Sequence, residues 1–168
     1  ARKGHAVRYV ARLLLVVACV SLVLTGCPCC EPGPPNPPVA DAACSDSSGD
    51  RFVDCGNGTV TDTQSGLVWL KNANCYGSQT WDAAMASAAA LTLGACELSD
   101  HSSAGSWRLP TKAEWEGMLQ PSCPDGGPKI PDRTGTTCYA TAPWASGVQA
   151  SAYWSTTTTD FDGSRAWA

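Results

Sequence analysis

The groups in this chain whose chemistry depends most on their neighbours are its ten cysteines, and Cys27 has the most distinctive surroundings. It follows the small residues of Leu24-Thr25-Gly26, the apolar run from Leu13 to Leu24, and a flank carrying Arg2, Lys3, Arg8 and Arg12. A basic flank, a short apolar core and small residues before a cleavage point are the parts of an export signal. A retained transmembrane helix fits less well. The apolar run is 12 residues long, whereas crossing the hydrocarbon takes about 20, and extending it back to Ala6 would bring Arg8 and Arg12 to the membrane.

Leu24-Thr25-Gly26-Cys27 resembles the bacterial lipobox, and the resemblance implies cleavage before Cys27 and acylation of its thiol. Cys29 and Cys30 stand close by, but only Cys27 is preceded by the small residues the signal requires. One acyl chain binds a membrane only marginally, so multiple acylation of such a cysteine matters to the anchor. The expected location is the cell envelope, with the chain lipid-anchored to a membrane and facing the periplasm or the cell surface.

Removing Cys19 with the leader and committing Cys27 to lipid leaves Cys29, Cys30, Cys44, Cys55, Cys75, Cys96, Cys123 and Cys138. An even number of cysteines in an exported chain is read as disulfide-bonded. Zinc would call for C-x-x-C pairs, and no two cysteines from Arg51 onward are close. The expected pairs are Cys75 with Cys96 and Cys123 with Cys138, leaving Cys44 to Cys55 or to the tether thiols. The first pair must close across a helix about 20 Å long, so the links at its two ends have to fold back along it.

Other side chains offer less. His101 sits in Ser99-Asp100-His101-Ser102-Ser103, but neighbours adjacent in sequence do not converge as a hydrolytic triad does. Asp160, Asp162 and Gly163 form a D-x-D-G turn, and Asp54 and Asn57 stand in another. Hard oxygen ligands suit calcium, yet neither turn carries the carboxylate ladder of a calcium loop, and Asp and Asn occupy turns for backbone reasons. No metal or other cofactor is expected, with calcium the one weighed.

Three segments must carry these groups. Residues 1–26 are the leader. Residues 27–50 form a tether: Pro28, Pro32, Pro34, Pro35, Pro37 and Pro38 are six of the twelve prolines, and the stretch has too little apolar surface to offset the entropy of ordering. Residues 51–168 are long enough for one domain with a single core. Without the leader the basic count falls from 11 to 7 against 15 acidic residues, a charge of 7 − 15 = −8. That sign disfavours nucleic acid, anionic lipid and sulfated polysaccharide as main partners.

Within the domain, Asn57-Gly58 marks a turn after Phe52-Val53. Thr59–Asp62 and Leu67–Leu70 flank a polar four-residue loop and read as a hairpin. Thr80 is the N-cap of a helix to Leu93, with Trp81, Met85, Ala88 and Leu91 or Leu93 on its buried face and Gly94 ending it. Thr111-Lys112-Ala113-Glu114 is a capping box opening a second helix, with Trp115, Met118 and Leu119 as the buried stripe. Glu114 therefore reads as structural. Residues 122–152 form a long irregular stretch, of the kind that is usually functional or disordered. Ala152–Thr156 and Ser164–Ala168 read as a second hairpin that the chain leaves incomplete at its C-terminal end.

Arg51-Phe52-Val53-Asp54, Gly56–Thr63, Gly66-Leu67-Val68-Trp69, Thr80–Ala84, Trp107-Arg108-Leu109-Pro110-Thr111, Tyr153-Trp154-Ser155-Thr156 and Ala166-Trp167, in that order, resemble the Lcl C-terminal domain family. That family takes its name from the C-terminal domain of a collagen-like bacterial adhesin. Residues 107–116, W-R-L-P-T-K-A-E-W-E, are also similar to a segment of the formylglycine-generating enzyme family. Together these resemblances imply an α+β fold of the C-type-lectin-like type, with twisted antiparallel strands, two helices and long loops. The enzyme's oxidase activity implies a reactive cysteine pair near the C-terminal end of the domain, and none follows Cys138.

The expected function is that of a non-enzymatic, lipid-anchored binding module, a carbohydrate or surface-ligand receptor or adhesin, with Tyr139 and Trp144 as exposed aromatic candidates on the long loop. The adhesin's association with sulfated glycosaminoglycans is not carried across, because the processed chain is strongly acidic. The alternatives are a structural envelope lipoprotein that binds another protein and, third, the oxidase. The expected partners are thus the membrane, through the lipid anchor, and a glycan or an envelope protein.

Overall fold

The computed structural model of the chain describes residues 2–3, 7–9 and 43–158. Their order is β1 (Arg2–Lys3), β2 (Val7–Tyr9), β3 (Phe52–Asp54), β4 (Thr59–Asp62), β5 (Leu67–Leu70), β6 (Ser78–Gln79), α1 (Trp81–Ala90), α2 (Lys112–Met118) and a 3-10 turn at Tyr139–Thr141. The class is α+β, as expected. Cys27, with the rest of residues 10–42, which hold most of the expected leader and tether, lies outside the described residues, as do Asp160, Asp162 and Gly163 of the expected turn and Ser164–Ala168.

The centre is the antiparallel meander β3-β4-β5, with the hairpin where the sequence places it: Thr59 faces Leu70, Val60 faces Trp69 and Thr61 faces Val68. Alternation along the strands splits the side chains between two cores. Val68 and Leu70 pack with Ala84, Ala88 and Leu91 from α1 and its end, together with Trp107 and Leu109. Phe52, Val60, Leu67 and Trp69 pack on the other side with Met118 of α2, Ile130 and Trp144. Every residue of β4 and β5 is buried, because both faces of the sheet are covered. Asn57-Gly58 makes the expected turn, and Gly58 is needed there. Its φ is +84°, and a Cβ would stand 2.4 Å from the Glu97 carbonyl oxygen.

α1 starts as expected, with the Thr80 hydroxyl accepting from the Ala83 amide at 3.3 Å. It ends earlier than expected, at Ala90. Leu91 is extended, and the next amides bond outside the helix, Leu93 to the Ser102 carbonyl at 3.0 Å and Gly94 to that of Leu98 at 2.8 Å. Leu93 is consequently 52% exposed while Leu91 is fully buried. α2 carries the full capping box: Thr111 Oγ1 accepts from the Glu114 amide at 3.2 Å, and Glu114 Oε2 accepts from the Thr111 amide at 2.7 Å. Of its expected stripe, Met118 is buried and Trp115 half-buried, but Leu119 follows the helix in an extended conformation and is 44% exposed.

Three disulfides join Cys44 to Cys55, Cys75 to Cys96 and Cys123 to Cys138, with Cα separations of 5.7, 5.6 and 5.6 Å. The pairing is the one anticipated, and the open choice for Cys44 falls on Cys55. The Cys44 amide also donates to Thr61 Oγ1 at 3.0 Å, so the chain is fastened to the domain from Cys44 on. Ala152–Thr156, expected as a strand, is not a regular one among the described residues. It is fixed by side chains instead: the indole N–H groups of Trp81 and Trp115 donate to the carbonyls of Ser155 and Trp154 at 2.8 and 3.1 Å. Trp154 in turn donates to the Gln79 carbonyl at 3.0 Å.

Candidate functional site

α2 and the long loop enclose a cavity of about 320 Å³, a volume in the range of small-ligand sites. Each wall has a distinct origin. The capping box fixes where α2 begins and so where Trp115, Met118 and Leu119 stand along it. Gly127, Pro128, Lys129 and Ile130 form a second wall, held by Gln120 N–H to Lys129 O at 2.8 Å, Tyr139 N–H to Ile130 O at 3.0 Å, and the Cys123–Cys138 bridge. Val148 to Tyr153 form the third.

The aromatic side chains are locked in place. Trp115 lies between Trp69 and Tyr153, with ring centroids 5.4 and 5.6 Å away in tilted geometry. Tyr153 Oη accepts from the Gln149 amide at 2.9 Å. Burial raises the pKa of Tyr153 against that bond, and burial with the nearby Tyr153 raises that of Tyr139, so both phenols are neutral at ordinary pH. Polar side chains are few. Lys129 Nζ donates to Asp125 Oδ1 at 2.8 Å and to the Cys123 carbonyl. The cavity thus offers mainly rigid apolar and aromatic surface, with Lys129, Gln149, Ser151 and Tyr153 the polar side chains among its lining residues.

Trp144 and Tyr139 correct the expectation of exposed aromatics on the loop. Trp144 is 4% exposed, stacked on Phe52 at 4.2 Å with an interplanar angle of 5°, and its Nε1 donates to the Pro131 carbonyl at 3.0 Å. It lines the cavity on one side and, on the other, a separate cleft of about 220 Å³ bordered by Asp54, Lys71 and Arg133. Tyr139 is half-buried, donates its hydroxyl to the Ala145 carbonyl, and packs against the second core. The signal for the cavity in the sequence was the long irregular stretch 122–152, of a kind that is usually functional or disordered. Trp115, Met118 and Tyr153 read from sequence as core or strand residues, and their second role at a cavity wall depends on how the loop turns over them.

The remaining candidates stay apart from the cavity. His101 is exposed, with a left-handed φ of 56°, in the loop after α1. Asp100 beside it is buried, and its Oδ1 accepts from the Ser102 amide at 3.1 Å. Asp54 is engaged by Lys71 Nζ and by the Gly56 amide, and Asn57 Oδ1 accepts from Thr59 Oγ1 at 2.7 Å. Among the described residues no group of three His, Cys, Asp or Glu side chains could hold a metal ion. All six described cysteines are in disulfides.

The loop itself is organised by Asp132. Burial alone would raise its pKa, but donors from Thr137 (hydroxyl and amide), Thr134 (hydroxyl) and Thr136 (amide) hold it at about 2. The Thr137 hydroxyl lies 2.8 Å from Oδ2, and the Thr134 hydroxyl 2.9 Å from Oδ1.

The model of the Lcl C-terminal domain family matches residues 58–168, about two thirds of the chain, and the chain belongs to that family. No curated protein and no solved structure matches it.

Proposed function

We propose that this member of the Lcl C-terminal domain family is an exported, lipid-anchored binding module whose ligand inserts an apolar group between α2 and the long loop. The observation that carries the reading is the cavity walled by Trp115, Trp144 and Tyr153, which is pre-formed, mostly carbon-lined and braced by the Cys123–Cys138 bridge. Rigid aromatic pockets of this kind serve as anchor sites for a partner's buried side chain or ring. The scarcity of polar groups favours an envelope protein's apolar side chain over a free sugar, whose hydroxyls would be left unpaired there. The sequence features of Cys27, the basic flank and the proline-rich tether support export and anchoring, and the residue order quoted above supports a C-type-lectin-like architecture. An oxidase reading gains nothing from six cysteines that are all paired with one another.

The test is titration of intrinsic tryptophan fluorescence with N-acetylated aromatic and aliphatic amino-acid amides, and separately with methyl glycosides. Saturable change with the amides is expected, lost in Ala150→Trp, which places bulk at the exposed mouth of the cavity. Saturation by glycosides alone would replace the ligand class, and no response to either set would remove the cavity as the site.

A further inference from the structure

The outer edge of β5 is occupied by a strand from far away in the sequence. Val7, Arg8 and Tyr9 pair antiparallel with Trp69, Val68 and Leu67, extending the sheet to the order β2-β5-β4-β3. Just before it, Arg2 and Lys3 pair with Gln79 and Ser78. All five of these residues fall in the leader. Two properties make this edge a pairing site. Its strand is fully buried and strongly apolar, Leu67-Val68-Trp69-Leu70, with no charge or proline of the kind that protects free edges. The register also fixes a preference: Val7, Arg8 and Tyr9 pair with Trp69, Val68 and Leu67 in turn, and of these acceptor residues Trp69 and Leu67 belong to the core on the α2 side of the sheet and Val68 to the core on the α1 side.

We infer that the outer edge of β5 is a strand-acceptor site, filled in the unprocessed chain by Val7–Tyr9 and offered, once the leader is removed, to an extended segment of a partner polypeptide running in the same direction. Main-chain hydrogen bonds supply the affinity of such strand addition, and alternate side chains supply its specificity. The matching segment carries apolar residues at its first and third positions. Only release of the edge rests on export; the pairing itself does not.

The experiment uses the full chain. Amide hydrogen exchange is measured at Leu67–Leu70 in the natural sequence and in an Arg8→Pro variant, with and without a synthetic peptide of residues 4–12. In the natural chain these amides are expected to exchange at least tenfold more slowly than those of Ser99–Ser103. In the variant, protection at the outer edge falls and the peptide restores it, while the natural chain, already filled, takes up the peptide at least tenfold more weakly. Exchange at Leu67–Leu70 as fast as at Ser99–Ser103 in the natural chain would overturn the inference even if the variant failed to fold. So would peptide uptake that leaves β5 unprotected or does not distinguish the two chains. The cavity ligand can fail while this pairing succeeds, because the readout is at β5 and not at α2.

Discussion

Arg51 and Asp62 meet in a two-point ion pair, Nε to Oδ1 at 3.0 Å and Nη2 to Oδ2 at 2.9 Å, that ties the start of β3 to the end of β4 on the sheet face beneath α2. The Asp62 side chain is 2% exposed and that of Arg51 14%. Arg51 Nη2 also donates to the Gly117 carbonyl at 3.0 Å, and its guanidinium carbon lies 4.8 Å from the centre of the Phe52 ring. Asp62 accepts further bonds from the Gln64 amide and the Ser65 hydroxyl, so the same carboxylate shapes the hairpin loop. Removing one member of a buried pair strands the other, at a cost of about 3–5 kcal/mol. Asp62→Ala is therefore expected to destabilise the domain by about 3 kcal/mol in urea unfolding. A change under about 1 kcal/mol would show that water compensates the guanidinium.

Glu114 serves two partners at once. Its carboxylate takes Arg108 Nη1 at 2.8 Å and Nη2 at 2.6 Å while capping the Thr111 amide. Burial pushes its pKa up, but Arg108 and Thr111 together bring it below the usual glutamate range. Glu114→Ala is expected to cost about 1–3 kcal/mol, from the lost cap and a charge-assisted bond. Because α2 carries Trp115 and Met118, the same variant should weaken binding at the cavity. A melt and a fluorescence titration on one sample check both effects.

Two glycines with similar left-handed φ separate conformational strain from collision. Gly66, at φ +73°, has nothing within 4 Å of a built Cβ, whereas Gly58 faces the Glu97 backbone. Gly66→Ala is expected to cost about 1 kcal/mol, the ordinary penalty of that backbone region. Gly58→Ala should cost clearly more, because main chain on both sides has to move. Equal unfolding midpoints for the two variants would contradict the close approach.

Acid should loosen the loop that walls the cavity before it melts the sheet. Asp132 has a folded pKa of about 2 against an ordinary value of 3.8. A depressed carboxylate pKa contributes stability that is fully present above the unfolded value and is lost as pH falls through the folded one. The contribution of Asp132 is thus intact above about pH 4 and is lost progressively towards about pH 2. Asp132→Asn should remove this component and flatten the stability profile over that window. Unfolding midpoints from pH 6 to pH 2 for the two chains test the sign.

Reduction should act unevenly. The bridges close 11, 15 and 21 residues, and each is expected to contribute about 2–4 kcal/mol, with the longer loops at the upper end. Replacing Cys123 and Cys138 together by Ser should cost stability and also open the cavity wall around Ile130. Replacing Cys44 and Cys55 should leave the cavity ligand's affinity unchanged. Melting and titration of the two double variants distinguish these outcomes.

What could be read from the residues was mostly what short-range physics determines. The hairpin Thr59–Leu70, both N-caps, the capping box and the disulfide pairs depend on residues near one another in sequence, or on which thiols remain after local choices. The end of α1 was not legible, because Gly94 is a suitable terminator in isolation and it is Ser102 and Leu98 that draw the preceding turn out of the helix. Trp144 was misjudged as exposed for a related reason: its partner Phe52 lies about ninety residues away, and nothing local signals their stacking. The strands Arg2–Lys3 and Val7–Tyr9 were invisible, since a basic flank carries the same composition whether or not it pairs with a sheet.

The three indole donors of Trp81, Trp115 and Trp154 sew the segment around Ser155 to both helices and to β6. That segment cannot lift away without baring several main-chain acceptors together, so the two sides of the sheet should come apart in concert. The tryptophans are then built-in optical reporters of a single cooperative event, and their emission should shift red at one denaturant midpoint shared with the loss of the far-ultraviolet signal.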